Sequence, residues 1–268
     1  MSYVSQTDRN SQIINKYQNG LSACNVGNEF GISQRQVLRI LTKSGINRRI
    51  CTAKNRTHHF NYHFFDLWSP SMSYWLGFLC ADGTIKRNGR WMNNRSIDIR
   101  LKRKDAEHLQ KFQNTICSNY KITFRKRKSG YGTGKFYARL IVNSGYLVNQ
   151  LDRLGFTDFK HGDARPMIKN IPNNMFNHWL RGMTDGDGWV SNSRYPVWGL
   201  TDKYYSVMVT IINRLRTIVP GHYNVVPNNS AFKILLSRKK AIAVLNYVYD
   251  CCTVMTSLDR KRMIYETL

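Results

Sequence analysis

The sequence predicts an α+β protein in two parts, a small all-helical unit followed by two halves of mixed helix and strand. Three observations carry this. Residues 11 to 44 read as three short helices with apolar positions at helical spacing. An apolar segment ending in Asp-Gly occurs twice, its terminal acids 105 residues apart, and each copy is followed by the same order of strand-like and helix-like stretches. With 268 residues, 42% of them hydrophobic, the chain can bury a sizeable core.

Its charge narrows the function classes. Forty-one Lys and Arg stand against 16 Asp and Glu, a formal charge of +25, which makes the compact state self-repulsive unless a polyanion is the normal partner. Nucleic acid is that partner on charge grounds. A lipid surface fits less well, because the basic residues are spread over strands, loops and linkers rather than along one amphipathic helix. The longest fully apolar stretch, Tyr74 to Ala81, is far short of the roughly 20 residues a membrane span needs. Six cysteines are scattered without a C-x-x-C pair, so neither a zinc ribbon nor a secreted disulfide framework is supported. Residues 1 to 10 are polar and lack a signal-type apolar core. The expected setting is reducing: a bacterial or phage-infected cytoplasm, or an organellar matrix, and not the secreted pool.

In the helical unit, Ser11 can cap a helix carrying Ile13, Ile14 and Tyr17 that stops at Asn19-Gly20. Ser22 can cap a second, with Ala23, Val26, Gly27 and Phe30 inward and Gly31 ending it. Ser33 then opens a third, whose stripe is Val37, Leu38, Ile40 and Leu41 and whose outward residues are Gln34, Arg35, Gln36, Arg39 and Lys43. The stretch SACNVGNEFGISQRQVLRILTKSGI resembles the helix-turn-helix of recombinase and repressor DNA-binding domains. That resemblance places the third helix in the major groove, where Gln and Arg make paired hydrogen bonds to base edges. A small helical bundle for protein contacts is the plainer alternative.

From Phe30 to Phe65 there is no acidic residue. Residues 46 to 63, with Arg48, Arg49, Lys54 and Arg56, lack periodicity and read as a basic linker that can follow a phosphate backbone. His59 and His63 have a helical metal spacing but no third ligand beside them. The expected domains are 1–45, the linker 46–63, a first repeat 64–165 and a second repeat 166–268.

The repeat is the main chemical signal. Tyr74-Trp75-Leu76-Gly77-Phe78-Leu79-Cys80-Ala81-Asp82-Gly83 returns as His178-Trp179-Leu180-Arg181-Gly182-Met183-Thr184-Asp185-Gly186-Asp187-Gly188. Small residues four apart, Gly77 and Ala81 in one copy and Gly182 and Gly186 in the other, let two helix backbones approach closely. Strands are expected at Ser96 to Lys102, Tyr120 to Lys126 and Phe136 to Val142, and again near Tyr195 to Leu200, His222 to Val226 and Ala231 to Leu236, with helices between and after them.

These segments, WLGFLCADG and LRGMTDGDG, resemble the LAGLIDADG homing endonucleases of the single-chain, two-repeat kind, over roughly residues 60 to 268. The resemblance implies tandem αββαββα repeats related by a pseudo-twofold axis, with the motif helices side by side and a saddle of antiparallel strands on duplex DNA. It further implies that Asp82 and Asp187 are catalytic and bind Mg²⁺ or Mn²⁺ with help from the backbone carbonyls of Ala81 and Gly186. The implied product is a double-strand break with short 3′ overhangs, made by a monomer without an obligatory protein partner. The family's basic active-site residues fall at Lys239 and Lys240, beside Arg238, in the second half, whereas the first half offers only Asn143 and Ser144.

The two acids also stand out on physical grounds. An Asp at a helix C-terminus opposes the macrodipole, and two such carboxylates side by side call for a cation. Gly83 and Gly188 serve as helix stops in either case. Asp185, matched by Cys80 in the first copy, is not expected to be catalytic. Strand alternation turns Ile97, Ile99, Leu101, Ile122 and Phe124 inward, and Asp98, Arg100, Lys102, Lys121, Thr123 and Arg125 outward. Arg139 alternates likewise, and Arg127 extends the basic run toward flanking phosphates. The rival readings are a non-cleaving regulator that keeps the scaffold, and an RNA maturase.

Overall fold

The computed structural model describes residues 6–19, 21–46, 58–86, 95–126 and 133–268. The chain divides into two compact units, Met1–Thr57 and His58–Leu268. Arg48, Arg49 and Arg127 lie outside the described residues.

The first unit holds α1 (Gln6–Gln18), α2 (Ala23–Phe30) and α3 (Gln34–Lys43). Helix α1 begins five residues before Ser11, the expected cap, because the preceding stretch carries no breaker and places Asp8 in the first turn, where the dipole favours it. Ser22 caps α2 by accepting from the Asn25 amide at 3.1 Å, and Gly31 ends that helix at φ +64. A side chain on Gly27 would meet the Ile32 carbonyl at 2.5 Å, so the turn closes only over glycine. Ser33 and Gln36 form a capping box at the start of α3. Ile13, Tyr17, Ala23, Val26, Val37 and Leu41 make a core of their own.

The second unit runs α4 (Pro70–Asp82), β1 (Gly83–Lys86), β2 (Ser96–Lys102), α5 (Ala106–Thr115), β3 (Thr123–Lys126), β4 (Phe136–Asn143), α6 (Gly145–Arg153), α7 (Phe156–Lys160) and α8 (Arg165–Asn170). It continues with α9 (Phe176–Asp187), β5 (Gly188–Ser191), β6 (Val197–Asp202), α10 (Tyr205–Arg216), β7 (Val226–Asn228), β8 (Ala231–Ser237), α11 (Arg238–Tyr249) and α12 (Asp259–Tyr265). Two antiparallel four-stranded sheets result, ordered β1-β2-β4-β3 and β5-β6-β8-β7. Each half contains an αββαββα unit, as the resemblance implies.

Three local expectations differ. Residues 58 to 63, read as the end of the linker, pack on the second unit, where Phe60 is buried and His58 stacks on Tyr120 at 4.0 Å. The helix expected from Thr201-Asp202 starts at Tyr205, because Asp202 ends a strand and accepts from the Tyr204 amide. Phe124 shares the helix-facing side of the sheet with its partner Ala138, yet it is 55% exposed. It lies on the edge strand, beyond the cover of the helices.

Helices α4 and α9 form the centre. Every residue from Met72 to Cys80 is buried, so α4 has no polar face. An ideal Cβ on Gly77 would lie 2.0 Å from the Trp179 carbonyl, and one on Gly182 2.1 Å from that of Tyr74. The helices therefore meet backbone to backbone, which brings their C-terminal ends together.

A polar network threads this interface. Asp185 accepts from the Tyr74 and Tyr249 hydroxyls and from the Leu258 amide. Tyr74 has a single proton and gives it to Asp185, so His108 Nε2, 2.9 Å away, carries the hydrogen and donates to the Tyr74 oxygen. Burial, then the Lys111 charge, lowers His108 to about 3, and burial with Arg181 lowers His178 to about 4. Folded His108 refuses a proton that the unfolded chain binds. Its contribution to stability is complete above the ordinary histidine value and is lost as pH falls toward 3. Stability in urea is expected to drop by up to ~1.4 kcal/mol per pH unit for each such histidine below about pH 6. His108→Gln should flatten this slope, and an unchanged slope would show that His108 is not a neutral buried group.

Candidate active site and nucleic-acid face

Asp82 and Asp187 are the last residues of α4 and α9. Each is followed by a glycine whose amide donates back to the helix, Gly83 to Leu79 and Gly188 to Thr184. These glycines do not use a left-handed turn. They are required by crowding, since a Cβ would lie 2.5 Å from the Leu79 carbonyl and 2.7 Å from that of Thr184. The chain thus passes straight from helix to strand, holding each carboxylate at the helix-pair terminus. Gly186 lies against Ala81, and its Cβ position is 3.5 Å from Asp82 Oδ2.

The acids feel each other. Burial first, and the Asp187 charge second, raise Asp82 to about 6, while Lys261 and Lys160 pull the other way. Asp187 is more open to solvent. It is raised by partial burial and by Asp202, against Lys160 and Lys261.

Two lysines that the sequence reading did not single out complete the centre. Lys160, the last residue of α7, donates to the Cys80 carbonyl and at 3.3 Å to that of Ala81. Lys261, on α12, donates to the carbonyls of Thr184 at 2.6 Å, Asp185 at 2.8 Å and Gly188 at 2.5 Å. A lysine from a later helix of each half, α7 or α12, thus donates to the carbonyls at the C-terminal end of that half's motif helix, where a cation complements the dipole. Burial lowers Lys261 to about 8 despite the nearby acids. No spacing rule links these lysines to Asp82 and Asp187, so only the folded chain reveals them. Lys261→Met is expected to destabilise the protein by roughly 2 to 3 kcal/mol by stranding buried carbonyls. An unchanged urea midpoint would show that those bonds are not holding α9.

The other expected residues are distributed as follows. Arg238, Lys239 and Lys240 form the first turn of α11 and are exposed. Arg238 sits at φ +53 with its guanidinium over Tyr195, and Lys240 approaches the His222 carbonyl at 3.4 Å. Among the described residues no hydrogen bond or ion pair joins Lys239 or Lys240 to either acid. The cations acting on both carboxylates are Lys160 and Lys261. The Ala81 carbonyl, implied as a metal ligand, is faced by Lys160. In the first half, Ser144 caps α6, and the Asn143 carbonyl accepts from Tyr120. Asp185 is fully buried in its hydroxyl network and is structural.

Register defines the outer face of the first sheet. Ile97, Ile99, Leu101, Ala138, Leu140 and Val142 pair on the helix side, so Lys86, Asp98, Arg100, Lys102, Thr123, Arg125 and Arg139 share the opposite side. A cleft of about 460 Å³ joins this side to the acidic centre; Arg100, Lys102, Lys104, Lys135 and Arg260 line it together with Asp82, Asp105 and Gly186. In the first unit Gln34, Arg35, Gln36, Arg39 and Lys43 are all exposed. The Gln36 carbonyl oxygen is taken by Ser33, however, which leaves its amide nitrogen for any outside partner. Among the described residues no cluster of three His, Cys, Asp or Glu side chains could hold a metal, and no helix is long and apolar enough to cross a membrane.

No protein-family model matches the sequence, and no curated protein matches it. Solved structures do. The homing endonuclease I-WcaI bound to its DNA recognition sequence is 14% identical over 74% of this chain and 90% of that one, with a TM-score of 0.51. I-DmoI in complex with DNA and Mn is 12% identical over 69% and 98%, at 0.48. Full-length DUF199/WhiA from Thermatoga maritima is 12% identical over 76% and 64%, also at 0.48. Identities this low speak to architecture alone. With its paired motif helices and two αββαββα halves, this chain has the LAGLIDADG fold.

Proposed function

We propose that the chain is a site-specific DNA endonuclease that hydrolyses both strands of a duplex at a long recognition site, leaving short 3′ overhangs. The observation that carries this reading is the pair of helix-terminal carboxylates, one from each half, at the end of a helix pair where Gly186 packs on Ala81 and its Cβ position lies 3.5 Å from Asp82 Oδ2. The donor set fits a hard divalent cation, since it is carboxylate oxygen on both sides, and glycine at 186 lets the end of α9 pack onto Ala81 beside Asp82. Mg²⁺ or Mn²⁺ held there would neutralise charge on a scissile phosphate and acidify an attacking water.

The chain's own residues do the rest. The basic sheet face and the cleft beside Asp82 bind the phosphodiester backbone. Lys160 and Lys261 fix the ends of the motif helices and so orient both acids. The N-terminal unit acts as a helix-turn-helix, with α3 on a flanking stretch of the same duplex, and the basic segment containing Arg48 and Arg49 connects the two readers. Tethering them raises the effective concentration of the second once the first is bound. Both acids lie on one chain, so a monomer suffices.

One observation favours the non-cleaving regulator as a second reading: the Ala81 carbonyl, one of the implied metal ligands, already accepts from Lys160. Cleavage of a plasmid library in Mg²⁺ or Mn²⁺, with the ends mapped by sequencing, decides between them. Discrete double-strand cuts with 3′ overhangs are expected. Tight, sequence-selective binding without cutting in either metal would establish the regulator, and preference for structured RNA over duplex DNA would establish the maturase.

A further inference from the structure

The two sheets share a register but not a chemistry. Gly83 pairs with Ile99 as Gly188 pairs with Leu200, so Asp98 corresponds to Gly199 and Arg100 to Thr201. Ile99 pairs with Leu140 as Leu200 pairs with Ile234, so Arg139 corresponds to Lys233. One half thus carries Asp, Arg and Arg where the other carries Gly, Thr and Lys. In the second half the Trp189 ring lies over Gly199 so closely that a Cβ would be 2.4 Å from it.

Arg100 and Arg139 are directly opposed on the two central strands of their sheet, a like-charge pairing that is unfavourable unless something sits between. Asp98 does. Arg139 donates to it through Nε at 2.8 Å and NH2 at 2.7 Å, and Arg100 through NH2 at 2.8 Å and Nε at 3.4 Å. Lys86 is 3.6 Å from the same carboxylate, whose side chain is 0% exposed. Burial alone would raise Asp98, but the arginine hydrogen bonds outweigh it and bring the carboxyl down to about 2. Three cations on one anion leave the site positive, so neutralising the face cannot be its whole purpose.

The geometry of the pairing is informative. Both arginines spend the Nε–NH2 side of the guanidinium on Asp98. Among the described residues no acceptor meets the NH1–NH2 end, which is the edge whose two parallel donors match guanine O6 and N7. Holding each fork by its other side removes rotamer freedom before DNA arrives.

We propose that Arg100 and Arg139 read two guanines in the half-site covered by the first repeat, with Asp98 as the residue that positions both, and that the second repeat, lacking this triad, has no matching guanine requirement. This rests on the reading of the chain as a sequence-selective DNA-binding protein.

The test is selection from a randomised duplex library by the full chain in EDTA, comparing wild type with Arg100→Lys, Arg139→Lys and Asp98→Asn, each checked for folding by circular dichroism. Wild type should enrich guanine at two positions on one side of the site's centre. Each lysine variant, keeping its charge, should reduce guanine enrichment about tenfold at one position and leave the other positions of the selected site unchanged. Asp98→Asn should relax both positions together. If Asp98→Asn does not fold, the lysine variants decide. Guanine preferences that survive in the folded variants would overturn the inference and leave the parent reading intact. A wild-type selection with no preferred sequence would overturn the parent reading itself.

Discussion

Asp82→Asn and Asp187→Asn are each expected to reduce double-strand cleavage by roughly 10²-fold or more, the scale of losing one strong electrostatic contributor to a transition state, while metal-free affinity for the same duplex stays level or rises. The opposite signs follow from charge. On the proposed function each carboxylate would hold a cation against the scissile phosphate, whereas in metal-free binding it would only repel that phosphate. Asparagine keeps the shape of the side chain and removes the charge, so the helix ends and Gly83 and Gly188 are undisturbed. Gel separation of supercoiled, nicked and linear plasmid reads the first effect, and filter binding in EDTA the second. Residual activity in a single variant should appear as nicks. Full cleavage by both variants would remove these acids from the chemistry.

Gly77→Ala and Gly182→Ala are each expected to cost about 3 kcal/mol or more, unusual for the addition of one methyl group. Elsewhere in a helix this change is stabilising, because glycine forfeits more backbone entropy than alanine on folding. Here the new Cβ would fall 2.0 Å from the Trp179 carbonyl or 2.1 Å from that of Tyr74. Those neighbours are backbone and cannot rotate away, so the helices must part. Parting them also separates Asp82 from Asp187, so activity should fall with stability. Urea unfolding of the full chain checks this, and a midpoint at or above wild type for either variant would mean that α4 and α9 do not meet at these glycines.

Much of the architecture was legible before any coordinates. The duplicated Asp-Gly segments located both motif helices, and the alternation of Ile97, Ile99 and Leu101 with Asp98, Arg100 and Lys102 set the two faces of β2. Ser22 and Ser33 marked helix starts by a chemistry that needs only neighbouring amides. Local rules failed where tertiary context decides. Phe124 obeys the alternation and is nevertheless exposed, because burial depends on what covers the edge strand. Helix α1 ran past Ser11 because a cap residue is also a tolerable helix residue when nothing upstream breaks the turn.

By itself, then, the sequence determined that the chain is basic, that its larger part repeats one order of helix-like and strand-like stretches, and that one acid terminates each motif segment. These are properties of composition, period and adjacency. Only the tertiary structure showed which cations cover the backbone carbonyls at the ends of those helices. Lys239 and Lys240 lie near the expected strand end on an exposed helix turn, and Lys160 and Lys261 arrive from α7 and α12, 78 and 74 residues beyond Asp82 and Asp187. It also decided that Asp98, one of only 16 acids in the chain, holds two arginines of a basic face. Such partnerships depend on cross-strand register and on which helix end a distant side chain reaches, and neither is encoded by spacing along the chain.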